Sequence, residues 1–230
     1  MLHFGYDGRM DELGSTPLSR RSALALLGGA GASGVLACSA SPAIEEGPFF
    51  VDERLNRSDL TAGATNAGVT RGAPLRLAFR VSTDRGGACV PLAGAHVDVW
   101  HADATGLYSD EAVLRTSGER FLRGYQVTGR DGAVAFRTVY PGWYPGRTPH
   151  VHLKVRTFTA SGDVARSFTS QLYFDETVTD AVFGSGAYAA RGRRDTTNAR
   201  DDLFDARMLV KPSRSGTGYA AAFEIVLRSA

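Results

Sequence analysis

Lysine is nearly missing from this chain. Of 26 lysine and arginine residues only Lys154 and Lys211 are lysine. With the abundance of alanine and glycine, this reads as genomic composition bias rather than function. No basic run interleaved with aromatics occurs and the formal net charge is only +2, which removes nucleic-acid binding from the field. Cysteine occurs only at Cys38 and Cys89, so any bridge within the chain must join those two. No apolar stretch reaches the roughly 20 residues that a membrane-spanning helix needs. There is no internal repeat and no second hydrophobic domain. What remains is 230 residues, enough for one domain with a proper core plus a dispensable terminal segment.

That terminal segment is expected to be residues 1–38. Ser19-Arg20-Arg21-Ser22-Ala23-Leu24 resembles a twin-arginine export signal, and a glycine-broken apolar run from Ala23 to Ala37 follows it. Glycines at this density would weaken an ordinary buried helix. Residues 1–9 add nothing a signal needs, so Met10 is an alternative start. Val35-Leu36-Ala37-Cys38 resembles a lipoprotein cleavage box, which would lipidate Cys38 and attach the mature protein to the membrane. In that case Cys89 is a small buried hydrophobe. The alternatives are a plain small-residue cleavage site, or a Cys38–Cys89 disulfide in an oxidising compartment. All of them place the protein in the cell envelope or outside the cell.

Residues 39–72, rich in Gly, Ala, Asn and Asp, read as an extended arm that wraps a core, with one apolar patch at Pro48-Phe49-Phe50-Val51. Residues 73–230 form the folded domain. Leu75–Val81, Ala95–His101, Val134–Val139, His150–Thr157, Phe168–Phe174 and Ala222–Leu227 alternate, or are enriched in β-branched and aromatic residues, as strands do. Asp84-Arg85-Gly86-Gly87 and Gly129-Arg130-Asp131-Gly132 carry turn chemistry. One short helix is expected over Glu176–Phe183. Many short strands and little helix predict an all-β sandwich, mainly antiparallel, with long loops. The polar, arginine-rich residues 184–205 read by default as a solvated loop.

The informative stretch is Pro141-Gly142-Trp143-Tyr144-Pro145-Gly146-Arg147-Thr148-Pro149-His150-Val151-His152. Residues two apart on a strand point to the same face, so His150 and His152 can aim at one ion. The Pro and Gly residues upstream forbid regular structure and hold Tyr144 and Arg147 over the same spot. Zinc usually takes His, Cys and carboxylate, and copper favours His with sulfur. A phenolate is a hard anionic oxygen matched to Fe(III), whose charge eases loss of the phenol proton. Two neutral imidazoles leave a ferric ion undercompensated, so a second anion is expected. Tyr108, presented by a Gly-containing loop after the Ala95–His101 strand, is the candidate. His96 and His101 read as structural, and Tyr125, Tyr140, Trp143 and Tyr173 as structural or pocket-lining.

These pieces resemble the intradiol ring-cleavage dioxygenases, the family of protocatechuate 3,4-dioxygenase and the catechol 1,2-dioxygenases. The resemblance rests on Glu46-Gly47-Pro48-Phe49-Phe50, Gly94-Ala95-His96-Val97-Asp98-Val99-Trp100-His101-Ala102-Asp103 and Gly106-Leu107-Tyr108-Ser109. It continues through Arg123-Gly124-Tyr125-Gln126, Pro141-Gly142-Trp143-Tyr144, His150-Val151-His152 and Ser170-Gln171-Leu172-Tyr173-Phe174. It implies a β-sandwich with non-haem Fe(III) on Tyr108, Tyr144, His150 and His152. It further implies that Arg147 lies against the substrate and that Gln171 belongs to the pocket. The implied reaction cleaves a catechol-type ring with O2 to a cis,cis-muconate-type diacid, Tyr144 being displaceable and able to act as a base. The chain resembles the shorter, exported members, lacking the amphipathic N-terminal dimerisation region of the intracellular enzymes.

Two other readings compete. A non-catalytic cell-surface β-sandwich that binds aromatic or polysaccharide ligands would have no chemical reason to keep both tyrosines and both histidines. A His-x-His zinc hydrolase lacks a convincing carboxylate base or third nitrogen ligand.

Overall fold

A computed structural model describes residues 38–229, so the expected export signal and all of the cleavage box but Cys38 lie outside the described residues. The strands are β1 (Pro74–Arg85), β2 (Ala88–Pro91), β3 (His96–Trp100), β4 (Arg123–Val127), β5 (Ala133–Val139), β6 (His150–Phe158), β7 (Val164–Phe174), β8 (Leu209–Val210), β9 (Ser213–Ser215) and β10 (Gly218–Leu227). Among the described residues three short α-helices accompany them: α1 (Ala67–Thr70), α2 (Glu176–Phe183) and α3 (Gly186–Ala189). Helix α2 begins where Asp175 caps the amide of Val178 and ends at Gly184.

The strands form two five-stranded sheets. In the first, β1 runs parallel to β10 along one edge. Its other edge pairs with β5 over the first half and with β2 over the second. In the other sheet the order is β4-β3-β6-β7-β8. The sheets enclose one core: Leu75, Leu77, Phe79 and Val81 of β1 join the same buried cluster as Val97 and Val99 of β3 and Val151, Leu153 and Val155 of β6. This is the all-β sandwich that alternation predicts. Strands β2, β4, β8 and β9 were not expected. They are short, or carry glycine and charge, and so lack a hydrophobic period.

Alternation on β6 decides where chemistry can sit. Val151, Leu153 and Val155 face the core, so His150, His152, Lys154 and Arg156 share the opposite face. Cross-strand register aligns Gln171 of β7, His152, Trp100 of β3 and Arg123 of β4 in one row, with Tyr173 beside His150. Such a polar outer face normally meets solvent. Here residues 41–57 lie across the sandwich, bonding Ser41 to Val226, Ile44 to Thr169 and Arg57 to Tyr125. Glu46 pairs with Lys154, and Asp52 joins Asp98 in gripping Arg156. Phe50 packs on Trp100 at 4.9 Å beneath the Lys154 ammonium.

Cys38 is bonded to Cys89 of β2, tying the start of this arm to the β1–β2 hairpin. A sulfur bonded to Cys89 cannot carry a thioether lipid, so the lipidated Cys38 is corrected to a disulfide. Closing a loop across a separation of 51 residues removes much unfolded-state freedom, worth about 2–4 kcal/mol. Cys89→Ser should therefore lower unfolding free energy by about that amount in urea. Identical urea curves for Cys89→Ser and oxidised wild type would show that the bridge contributes nothing.

Candidate metal centre

Four side chains meet on the outer face of β6. His150 Nε2 lies 3.0 Å from His152 Nε2, 3.2 Å from Tyr144 Oη and 3.4 Å from Tyr108 Oη. Tyr108 Oη is also 3.1 Å from His152 Nε2. Tyr108, His150 and His152 are buried, and Tyr144 is half-buried. The Nδ1 of His150 sits 2.7 Å from the Thr148 carbonyl, which only accepts, so Nδ1 carries the proton and Nε2 presents a lone pair. Trp100 stacks on the His152 ring at 4.9 Å and 8°. Gly47, at φ +72°, leaves room for the edge of that ring.

The tyrosines arrive on two loops that pack backbone against backbone. Asp103 Oδ1 accepts from the amides of Thr105 and Leu107 and from the Thr105 hydroxyl, closing the turn that aims Tyr108 inward. Gly106, at φ +84°, has no room for a Cβ against the Trp143 carbonyl, and Gly142 has none against the Asp103 carbonyl. Each loop therefore carries glycine where the other touches it. Below, Arg123 binds the Ser109 hydroxyl and the Phe49 carbonyl, joining the Tyr108 loop to the arm. The Phe49 ring lies on Tyr108 at 4.5 Å and edge-on to Tyr144 at 6.2 Å.

Electrostatics follow from burial. Burial, reinforced by Arg147 and neighbouring histidines, pushes the His150 imidazole down to about 3 and holds His152 well below the usual range. Both are neutral near pH 7, with lone pairs available. Burial also raises both phenols above their ordinary value. The neighbouring Tyr144 adds to the effect at Tyr108, while the Arg147 cation opposes it at Tyr144. Two nitrogen and two oxygen donors thus crowd one buried point that no cation of the described residues occupies, an arrangement a metal ion would relieve.

Arg147 and Gln171 border the cluster. Arg147 Nη1 is 3.5 Å from Tyr144 Oη, its Nη2 donates to Gln171 Oε1, and its Nε donates to Asp201 at 2.9 Å. Tyr173 donates to the same Gln171 oxygen, while Gln171 Nε2 reaches the Glu45 carbonyl on the arm. Residues 184–205 are not simply a solvated loop. They supply the fully buried Asp201 carboxylate, and Arg191 there bonds the Thr105 carbonyl and lies over the Trp143 ring at 4.7 Å. Asp201 carries no signal in the sequence, its partners Arg147 and Thr148 lying on a distant loop, and Asp103 and Arg123 stand there only within family motifs, with no role assigned. His101 is bonded to Ala102 and Thr138, and His96 stacks on Tyr125, so neither joins the cluster.

A two-histidine, two-tyrosine centre on the outer face of a β-sandwich defines the class of protein. A model of the family described as Dioxygenase matches residues 45–229. The chain is 33% identical over 119 residues to catechol 1,2-dioxygenase 1 of Acinetobacter lwoffii, covering 44% of this chain and 36% of that protein. It is 34% identical over 99 residues to hydroxyquinol 1,2-dioxygenase of Rhizobium sp. (strain MTP-10005), covering 43% of this chain and 31% of that protein. These matches span about a third of the length of each relative. Among solved structures, an intradiol ring-cleavage dioxygenase from Tetranychus urticae superposes with a TM-score of 0.70 at 29% identity, over 83% of this chain and 95% of that one. The chain belongs to the intradiol ring-cleavage dioxygenase family.

The depressed histidines make a pH prediction for metal-free protein. His101, lowered by burial to about 4, joins His150 and His152. Between an unfolded value near 6.5 and folded values of about 4 for His101 and about 3 for His150, with His152 depressed in the same direction, the unfolded chain binds more protons. Stability should be full above about pH 6.5 and fall steadily as the pH drops through that window. In NMR titrations, the His150 and His152 rings should show no inflection between about pH 5 and 8. Normal titration near 6.5 would mean that the imidazoles are solvated and the cluster is open.

Proposed function

We propose that this chain is a non-haem Fe(III) intradiol dioxygenase acting on a catechol-type aromatic, with Tyr108, Tyr144, His150 and His152 as the iron ligands. The observation that carries the reading is the convergence of two neutral imidazoles and two phenols at one buried point. This donor set fits ferric iron. Two phenolates would offset two of its three charges, and hard oxygen with imidazole nitrogen suits it better than a sulfur-seeking metal. Bound there, iron would supply the charge that acidifies the phenols and a vicinal diol, and the redox-active centre through which the diol reacts with O2.

The protein's own groups would do the rest. Tyr144 is the more exposed phenol, with Arg147 near its oxygen. Its oxygen could take a hydroxyl proton from an incoming diol, the neutral phenol being favoured there by burial. Tyr108, packed under Phe49, stays fixed. Arg147 places a permanent cation where electron density builds on the ring, and Gln171 steadies it. Ring opening between the two hydroxylated carbons takes up both atoms of O2 and gives a cis,cis-muconate-type diacid. The two relatives are named for catechol and hydroxyquinol, both vicinal diols, which supports this substrate class. A disulfide is durable in an oxidising compartment, which supports the export reading. No feature of the described residues favours the non-catalytic alternative.

The test is oxygen uptake by iron-loaded protein against a panel of catechols, with Arg147→Ala beside wild type. Wild type should consume one O2 per diol cleaved. Arg147→Ala should retain its iron and lose turnover by about a hundredfold or more. No uptake with any catechol by iron-replete wild type would refute the reading. Normal turnover in the variant would remove Arg147 from the chemistry.

A further inference from the structure

We propose that Asp201 is the positioning residue for Arg147, the carboxylate that sets the plane of the guanidinium beside the reacting ring. The inference rests on the dioxygenase reading for its meaning and on geometry for its content. Asp201 is far from the site in sequence, and its side chain is completely buried. Its Oδ2 accepts from Arg147 Nε at 2.9 Å and from the Thr148 amide at 2.9 Å, while Oδ1 accepts from the Leu203 amide at 2.9 Å. One oxygen therefore binds the arginine side chain and the backbone of the next residue. That ties the guanidinium to the loop from which it springs.

A guanidinium is planar, so two acceptors on different nitrogens fix its orientation. Asp201 holds Nε and Gln171 holds Nη2, which leaves Nη1 toward Tyr144 Oη. Gln171 is held in turn by Tyr173 and by the Glu45 carbonyl. Without Asp201, Arg147 would keep one neutral acceptor and swing about it. The Thr148 bond adds a second consequence, since the carbonyl of Thr148 orients the His150 ring. Charge matters too. A cation beside a metal must be compensated to remain in place, and a buried carboxylate on its far side does this without touching the donor cluster.

A double-mutant cycle tests the proposal. Asp201→Ala should lower kcat by about 10- to 100-fold with smaller change in KM. Asp201→Asn should lose less, because its amide oxygen can still accept from Nε. In an Arg147→Ala background Asp201→Asn, whose amide oxygen can still accept from the Thr148 amide, should cost less than about twofold more, the partner being gone. Full multiplicative loss there, or unchanged kcat in Asp201→Ala, would overturn the proposal. A second readout needs neither iron nor turnover. In metal-free wild type the Arg147 Nε–H, assigned by its loss in Arg147→Lys, should give a slowly exchanging 15N resonance. Asp201→Asn should speed its exchange, and Asp201→Ala should abolish its protection. Rapid exchange in wild type would likewise overturn the anchor. Protection lost in the variants supports the anchor even if wild type takes up no oxygen, an outcome that counts only against the dioxygenase reading.

Discussion

The crowding of four electron-pair donors at one buried point is the constraint on which the rest of the structure depends. Imidazole nitrogens 3.0 Å apart, each within 3.4 Å of a phenol oxygen, gather four lone-pair-bearing atoms around one point that a single metal ion can serve. Burial holds both histidines neutral, so each keeps a nitrogen lone pair, and the only protons on the cluster are the phenol hydroxyls and one N–H per ring. The position follows from β6. Its inward residues build the sandwich core, so His150 and His152 must face outward. An outward face is wet unless something covers it. The arm does so, its Phe49 and Phe50 lying over Tyr108 and Trp100.

The cover is held by groups distant in sequence. The Cys38–Cys89 bond fastens the arm near its start, and the Glu46–Lys154 and Asp52–Arg156 pairs secure it farther on. Partly exposed pairs such as these contribute little individually. Their effect here is to place Phe49 and the Glu45 carbonyl, which reaches Gln171. The tyrosine loops are fixed more firmly, by glycine-to-carbonyl contacts at Gly106 and Gly142 that admit no side chain. Asp201 closes the other side. Arm, loops and the polar segment 184–205 therefore converge on the same few side chains.

How much of this could be read in the sequence depended on distance along the chain. His150, His152, Tyr144 and Arg147 lie within a few residues of one another, and spacing alone brings them together. Tyr108 is 42 residues from His150. It was found by a charge argument, because ferric iron calls for a second anion. The long strands declared themselves by period, and α2 occupies the Glu176–Phe183 stretch expected to be helical. Asp201 is 54 residues from Arg147, amid arginines and aspartates, and buried carboxylates look like exposed ones in a one-dimensional pattern. Strand β4 was missed for a related reason: Arg123 is buried, yet an arginine beside a glycine reads as loop. The Cys38–Cys89 bond was one of several alternatives, and only three-dimensional proximity chose it.

The central claim is that these four side chains together hold ferric iron. The visible absorption spectrum of iron-loaded protein, recorded for wild type and Tyr108→Phe before and after adding a catechol, tests it most directly. Wild type should show a broad phenolate-to-iron charge-transfer band that shifts on adding the diol, and Tyr108→Phe should lose a large part of it. A colourless wild-type protein with zinc bound, or a band indifferent to Tyr108, would contradict the account.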